Sequence, residues 1–131
     1  MFLNRGHSAT YLGLVEITPM FDVARLDSLS FVAMPRRLSV THLRALLDCV
    51  QCELDEGPAG IVLDLRGTDA IDMAALAGIV AAYKQSAIRG VSLRLGTPRA
   101  SVRRLLAVTR LDRVFRMADE PEPEDELAAA E

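Results

Sequence analysis

The chain predicts a single α/β domain, a mixed β-sheet packed with about four helices. Strand-like and helix-like stretches alternate from residue 29 to 117, the order that builds a sheet with parallel strands in its later part. The run Ile61 to Leu65, IVLDL, is short, apolar and branched, and passes through a tight turn, Arg66 to Ala70, into a helix that starts at Asp72. A length of 131 residues, half of them apolar, suffices for one domain with a real core and not for two.

Residues 1–19 form an N-terminal extension in which LGLVEI is either an edge strand or an apolar strap over the core, ended by Pro19. Two apolar runs, MFDVARL and SLSFVAM, flank Asp27-Ser28 and predict a hairpin with a polar turn. Pro35-Arg36-Arg37-Leu38-Ser39 leads to a helix over Thr41 to Glu56, whose Leu43, Leu46, Leu47, Val50 and Leu54 recur every three or four residues and make one stripe for the sheet. Gly57 and Pro58 end it. A strand from Gly60 to Leu65 follows, then the helix from Asp72 to Arg89, closed by Gly90. The strand VSLRLG, a third helix from Pro98 to about Val108 and a short strand around Val114 to Met117 complete a domain over 20–117.

Composition narrows the function classes. No apolar run approaches the roughly 18 to 20 residues of a membrane span, and MFLNRGHSAT lacks the pattern of a secretory signal, so a cytoplasmic protein without membrane insertion is expected. Two cysteines are too few for a disulfide-stapled module. The net charge of −3 conceals an asymmetry: the first 117 residues carry all 15 basic side chains and 11 acids, +4, while 118–131 carry the other seven acids. That segment, ADEPEPEDELAAAE, has the charge and proline content of a disordered tail, in which ELAAAE can form a helical turn on contact. Fourteen of the basic residues are Arg, consistent with coding bias.

A strand ending in Asp64-Leu65, a short turn, Ile71-Asp72, two small residues and Leu76 opening a helix resemble the STAS domain of bacterial anti-sigma factor antagonists. So do the helix ending Arg89-Gly90, the strand VSLRLG and the closing LLAVTRLDRVF, together covering about residues 20 to 117. The resemblance implies a STAS-like fold and a protein-binding role without catalysis or cofactor. In signalling members the turn is typically Asp-Ser-Ser-Gly, and a partner kinase that is also the anti-sigma factor phosphorylates its second Ser, placing charge at the helix N-terminus. Aligned on Asp72 and Leu76, the positions here are Asp72, Met73, Ala74 and Ala75, so the acceptor is Ala74 and the turn is a degenerate phosphosite. Thr68 is the one hydroxyl expected nearby. Where the family usually has Gly-x-Leu-Asp, this chain has Arg36-Arg37-Leu38-Ser39. Asp72 itself is explained by helix capping, with or without a partner.

The second helix points Leu76, Ile79, Val80, Tyr83 and Ala87 at the sheet and leaves Ala74, Ala77, Gly78, Ala81 and Gln85 on an opposite face nearly bare of polar groups. This phase, together with the use of the region for binding that the resemblance implies, makes the candidate partner-binding set Arg36, Arg37, Ser39, Met73, Ala74, Ala77, Gly78 and Ala81. An Ala-rich helix with no partner is the plain alternative, which Gly78, a poor helix former, does not fit. Cys49 and Cys52 lie in mid-helix, off the predicted apolar stripe, unlike a redox pair at a helix N-terminus. With His7 and His42 they have no metal-ligand spacing. Arg99, Arg103, Arg104, Arg110, Arg113 and Arg116 cluster near the acidic tail, without the aromatic interleaving or groove-reading motif of a nucleic-acid binder, so no nucleic acid is expected. The resemblance leaves two roles: an anti-sigma factor antagonist-like regulator of transcription signalling whose partner is an anti-sigma factor kinase, or an accessory subunit bound to the ABC ATPase of a lipid-transport system or part of a sensory scaffold. Oligomeric state is not legible.

Overall fold

Residues 21–118, with the backbone of a two-residue strand near the start, are described by the computed structural model of the chain. One sheet has six strands: β1 (Phe2–Leu3), β2 (Val23–Leu26), β3 (Leu29–Ala33), β5 (Gly60–Asp64), β7 (Ser92–Gly96) and β8 (Arg116–Met117), in that spatial order. The first two pairings are antiparallel and the last three parallel. A two-stranded parallel ladder, β4 (Arg37–Leu38) with β6 (Ala70–Ile71), lies outside it. The helices are α1 (Leu43–Asp55), α2 (Met73–Ile88) and α3 (Ala100–Val108), with 3₁₀ turns at Val40–His42 and Leu111–Arg113. Among the described residues, three helices and two short 3₁₀ turns stand where about four helices are expected.

The β2–β3 hairpin forms because Asp27 and Ser28 both take positive φ, 52° and 69°, the backbone of a two-residue turn whose twist matches its flanking strands. From β3 onward each parallel strand is added beside the previous one, so every crossover steps the same way. Right-handed crossovers of that kind put α1, α2 and α3 on one face. Val32, Ile61, Leu63, Leu93 and Leu95 alternate inward to meet them and join Leu46, Val50, Leu54, Leu76, Ile79, Val102 and Leu106 in the core. Phe115 closes it edge-on against Tyr83, ring centroids 5.4 Å apart. The strand at 2–3 pairs with β2, while the expected strand or strap LGLVEI lies outside the described residues.

Helices α1 and α2 run parallel, side by side. Gly78 of α2 abuts Leu43, Gln85 Nε2 donates to Gln51 Oε1 (2.7 Å) and Arg89 Nη2 donates to the Leu54 carbonyl (3.2 Å). Three expectations about helical phase change as a result. Gly78 is buried, because the neighbour that comes close to it is α1 itself; Ala87 is exposed; and Cys49 is buried on the α1 stripe rather than off it. The same stripe carries a fully buried charge, Glu53, whose carboxylate accepts from Arg25 Nε (3.0 Å), Arg25 Nη2 (3.1 Å) and Ser30 Oγ (2.8 Å), joining α1 to the hairpin.

Candidate functional site

Asp72 follows β6 directly and caps two elements at once. Its Oδ1 accepts from Ala75 N (2.8 Å), satisfying one of the free amides of the first turn of α2, and its Oδ2 accepts from Val40 N (3.1 Å) at the start of the turn before α1. Its own amide donates to the Leu38 carbonyl at 3.1 Å. The single carboxylate therefore sets Val40 beside Met73, and both side chains stand in water, 55% and 64% exposed. On α2 the exposed row continues at four-residue spacing through Ala77 and Ala81, toward Lys84 and Ile88. Along α1 a groove of about 520 Å³ runs from Val40 past Leu43 and Arg44 to Leu47 and Asp48. The surface is apolar at its centre and basic at its rim, where Arg37 and Arg44 are exposed.

The turn before Asp72 is tied down on both sides. Asp69 accepts from Arg36 Nε (2.5 Å) and Arg99 Nη1 (2.6 Å), its amide donates to the Arg36 carbonyl (2.7 Å), and Ser101 Oγ donates to its carbonyl (3.1 Å). The hydrogen bond from Arg36, aided by the charges of Arg36 and Arg99, holds the Asp69 carboxyl below its ordinary value. At the end of β5, the guanidinium of Arg66 does the same to Asp64. Thr68 is fully buried, its hydroxyl donating to the Pro35 carbonyl at 2.8 Å. Ser39 begins the 3₁₀ turn: its amide donates to His42 Nδ1 (3.1 Å), and its hydroxyl lies 2.8 Å from that of Thr41.

The structure brings together most of the residues singled out in the sequence. Met73, Ala77 and Ala81 share the exposed side of α2, with half-buried Ala74 at its border with α1; Arg37 and Ser39 stand next to Val40. Arg36 is spent on Asp69, so it shapes the turn. Ala75 and Gly78 are buried and drop out of the surface. Ser39 and Thr41, which Val40 places alongside Asp72, are hydroxyls near the turn besides Thr68, a proximity that separation in sequence concealed. Sequence reasoning also missed Val40 and the β4–β6 ladder: a lone exposed valine and two two-residue strands have no periodicity to detect. Among the described residues no three His, Cys, Asp or Glu side chains gather so as to hold a metal ion, and no helix is long and apolar enough to cross a membrane. Burial pushes the Cys49 thiol up to about 12, with Glu53 adding to the effect, so that it is a packing group and not a thiolate.

The family model described as the STAS domain matches residues 20–123. Among solved structures, the chain is 25% identical to a candidate anti-sigma factor antagonist of Thermotoga maritima, over 83% of this chain and 92% of that one, with a TM-score of 0.67. An anti-sigma factor antagonist of Mycobacterium paratuberculosis matches at 20% identity over 83% and 91%, TM-score 0.63. SpoIIAA of Bacillus, an anti-sigma factor antagonist, matches in its unphosphorylated form at 11% over 84% and 97%, TM-score 0.59. For the last two the likeness is one of fold.

Proposed function

Since the chain belongs to the STAS domain family, we propose that it works by binding another protein and not by catalysis, as an anti-sigma factor antagonist-like regulator of transcription signalling in the bacterial cytoplasm. The observation that carries this reading is the exposed row Val40, Met73, Ala77 and Ala81, mounted on Asp72 at the turn that signalling members of the family use. Its partner is an anti-sigma factor of the kinase type, and the complex is indifferent to that kinase's activity. Ala74 offers no hydroxyl at the acceptor position, and the Thr68 hydroxyl is turned inward onto Pro35. Without a phosphate at the N-terminus of α2, the surface stays in its binding-competent form.

The test uses the anti-sigma factor kinases encoded in the same genome, each mixed with the purified chain with and without ATP. One of them binds, ATP leaves the affinity unchanged, and residues 66–75 remain unlabelled, as do Ser39 and Thr41 beside the turn. Ala81→Arg sets a long charged side chain on the exposed row; it abolishes binding while changing stability by no more than about 0.5 kcal/mol. Binding that survives Ala81→Arg removes α2 from the interface, and stoichiometric label on Thr68 ends the claim of insensitivity. Failure of every kinase to bind, with capture of an ABC ATPase instead, transfers the chain to the accessory-subunit reading.

A further inference from the structure

A second surface, on the outward side of α3 and the turn after it, has no part in the patch at α2. Val102 and Leu106 are the α3 residues that enter the core, and Arg104, Ala107 and Val108 point the other way, with Val108 76% exposed. The chain then passes through Arg110 in the left-handed region (φ 64°) and presents Arg113 and Val114, the latter 41% exposed. Arg103 stays at the surface, its Nε donating to the Pro98 carbonyl at 3.2 Å. Between residues 103 and 114 four arginines face a single acid, Asp112. Two exposed valines on a stretch this rich in arginine suit a cover that combines carboxylates with a short apolar run.

Residues 119–131 lie outside the described residues, but their sequence has that composition: seven acids and the run Leu127-Ala128-Ala129-Ala130. They follow Ala118, whose amide donates to the Leu95 carbonyl at 2.8 Å, so the segment starts beside β7, just past the edge strand β8 to which α3 and its following turn lead. Helix α3, with nine residues, is about 14 Å long, and thirteen residues of chain reach up to about 43 Å, ample to return along it. A tether this short holds the two charge clusters at an effective concentration in the millimolar range, where weak exposed ion pairs suffice. We propose that residues 119–131 dock in cis on this surface, their carboxylates on Arg104, Arg110 and Arg113 and Leu127 on Val108 and Val114.

The experiment compares amide spectra of the ¹⁵N-labelled full chain with those of a chain carrying Glu120→Gln, Glu122→Gln, Glu124→Gln, Asp125→Asn and Glu126→Gln. At about 20 mM salt the signals of residues 104–114 differ between the two more than those of any other part of the domain. At about 500 mM the difference falls severalfold, because the screening length drops from about 20 Å to about 4 Å. Arg104→Glu combined with Arg113→Glu, both on exposed sites, releases the segment as neutralisation does. No difference across 104–114, or one indifferent to salt, overturns the proposal. So does a difference that grows with protein concentration, which puts the acidic segment on a second copy.

Discussion

Three substitutions on α2, two at Gly78 and one at Ala81, test which of its sides is packed against α1. A Cβ built at Gly78 falls 2.4 Å from Leu43 Cδ1, with Leu43 Cγ at 3.8 Å and Leu46 Cδ2 at 3.9 Å. For Gly78→Ala the obstacle is the far end of one half-buried leucine. Turning it off its rotamer costs about 0.5–1.5 kcal/mol, and the helix gains about 1 kcal/mol in propensity, so the net change lies within about 1 kcal/mol of zero. Gly78→Leu adds three further carbons where the first already collides; overpacking of that kind costs about 1–3 kcal/mol and forces α1 away from α2. For a domain of this size, about 2 kcal/mol corresponds to a fall of on the order of 10 °C in Tm. Ala81→Leu, one turn on and facing water, changes stability by no more than about 0.5 kcal/mol. Thermal melts followed by circular dichroism compare the three. A Gly78→Leu chain that melts with the wild type, or an Ala81→Leu chain that loses as much as Gly78→Leu, means that the buried side of α2 is not the one described.

Removing Arg25 strands the buried carboxylate of Glu53 with only the Ser30 hydroxyl, and Arg25→Ala costs about 3 kcal/mol in urea unfolding, the lower end for a broken buried pair because the Arg25 side chain is a quarter exposed. Arg25→Met with Glu53→Leu and Ser30→Ala recovers most of that loss; a cost below about 1 kcal/mol for Arg25→Ala means that another donor reaches Glu53. The depressed Asp69 carboxyl contributes stability that is present above its ordinary value of 3.8 and is lost progressively as the pH falls from there through its lowered value in the folded chain. The Tm difference between wild type and Asp69→Asn is therefore constant from about pH 5 to 8 and narrows as the solution is acidified below about pH 4, and a difference that does not narrow at all on acidification shows that the Arg36–Asp69–Arg99 link is not what Asn removes.

The parts of the fold that were legible are those with a period. The run IVLDL, the stripe of α1, the Asp27-Ser28 turn and the Asp72 start of α2 each repeat a local rule over several residues or obey a capping preference, and each forms where it was expected. The outer face of α2 was legible only in part, because its residues are nearly all small and apolar: the phase that sends Ala77 and Ala81 outward does not say whether the water beside Gly78 is replaced by a second helix. Glu53 was invisible for a related reason. A glutamate on a helix is ordinarily solvated, and its burial depends on Arg25 and Ser30, which lie 28 and 23 residues away. The Asp72–Val40 bond spans 32 residues, so no window along the chain could have joined α2 to the start of α1.

On the function proposed above, that bond governs how the surface enters a complex. A recognition loop that orders on contact loses backbone freedom of about 1–2 kcal/mol for each residue it fixes. Here the two segments that bear Val40 and Met73 are already fastened to one carboxylate, each by its backbone amide, so association freezes little beyond the rotamers of Met73 itself, a cost of about 0.5–1.5 kcal/mol. A partner thus meets a prearranged shape, and the affinity it attains rests on how closely its own side chains match a fixed relief of Val40, Met73, Ala77 and Ala81.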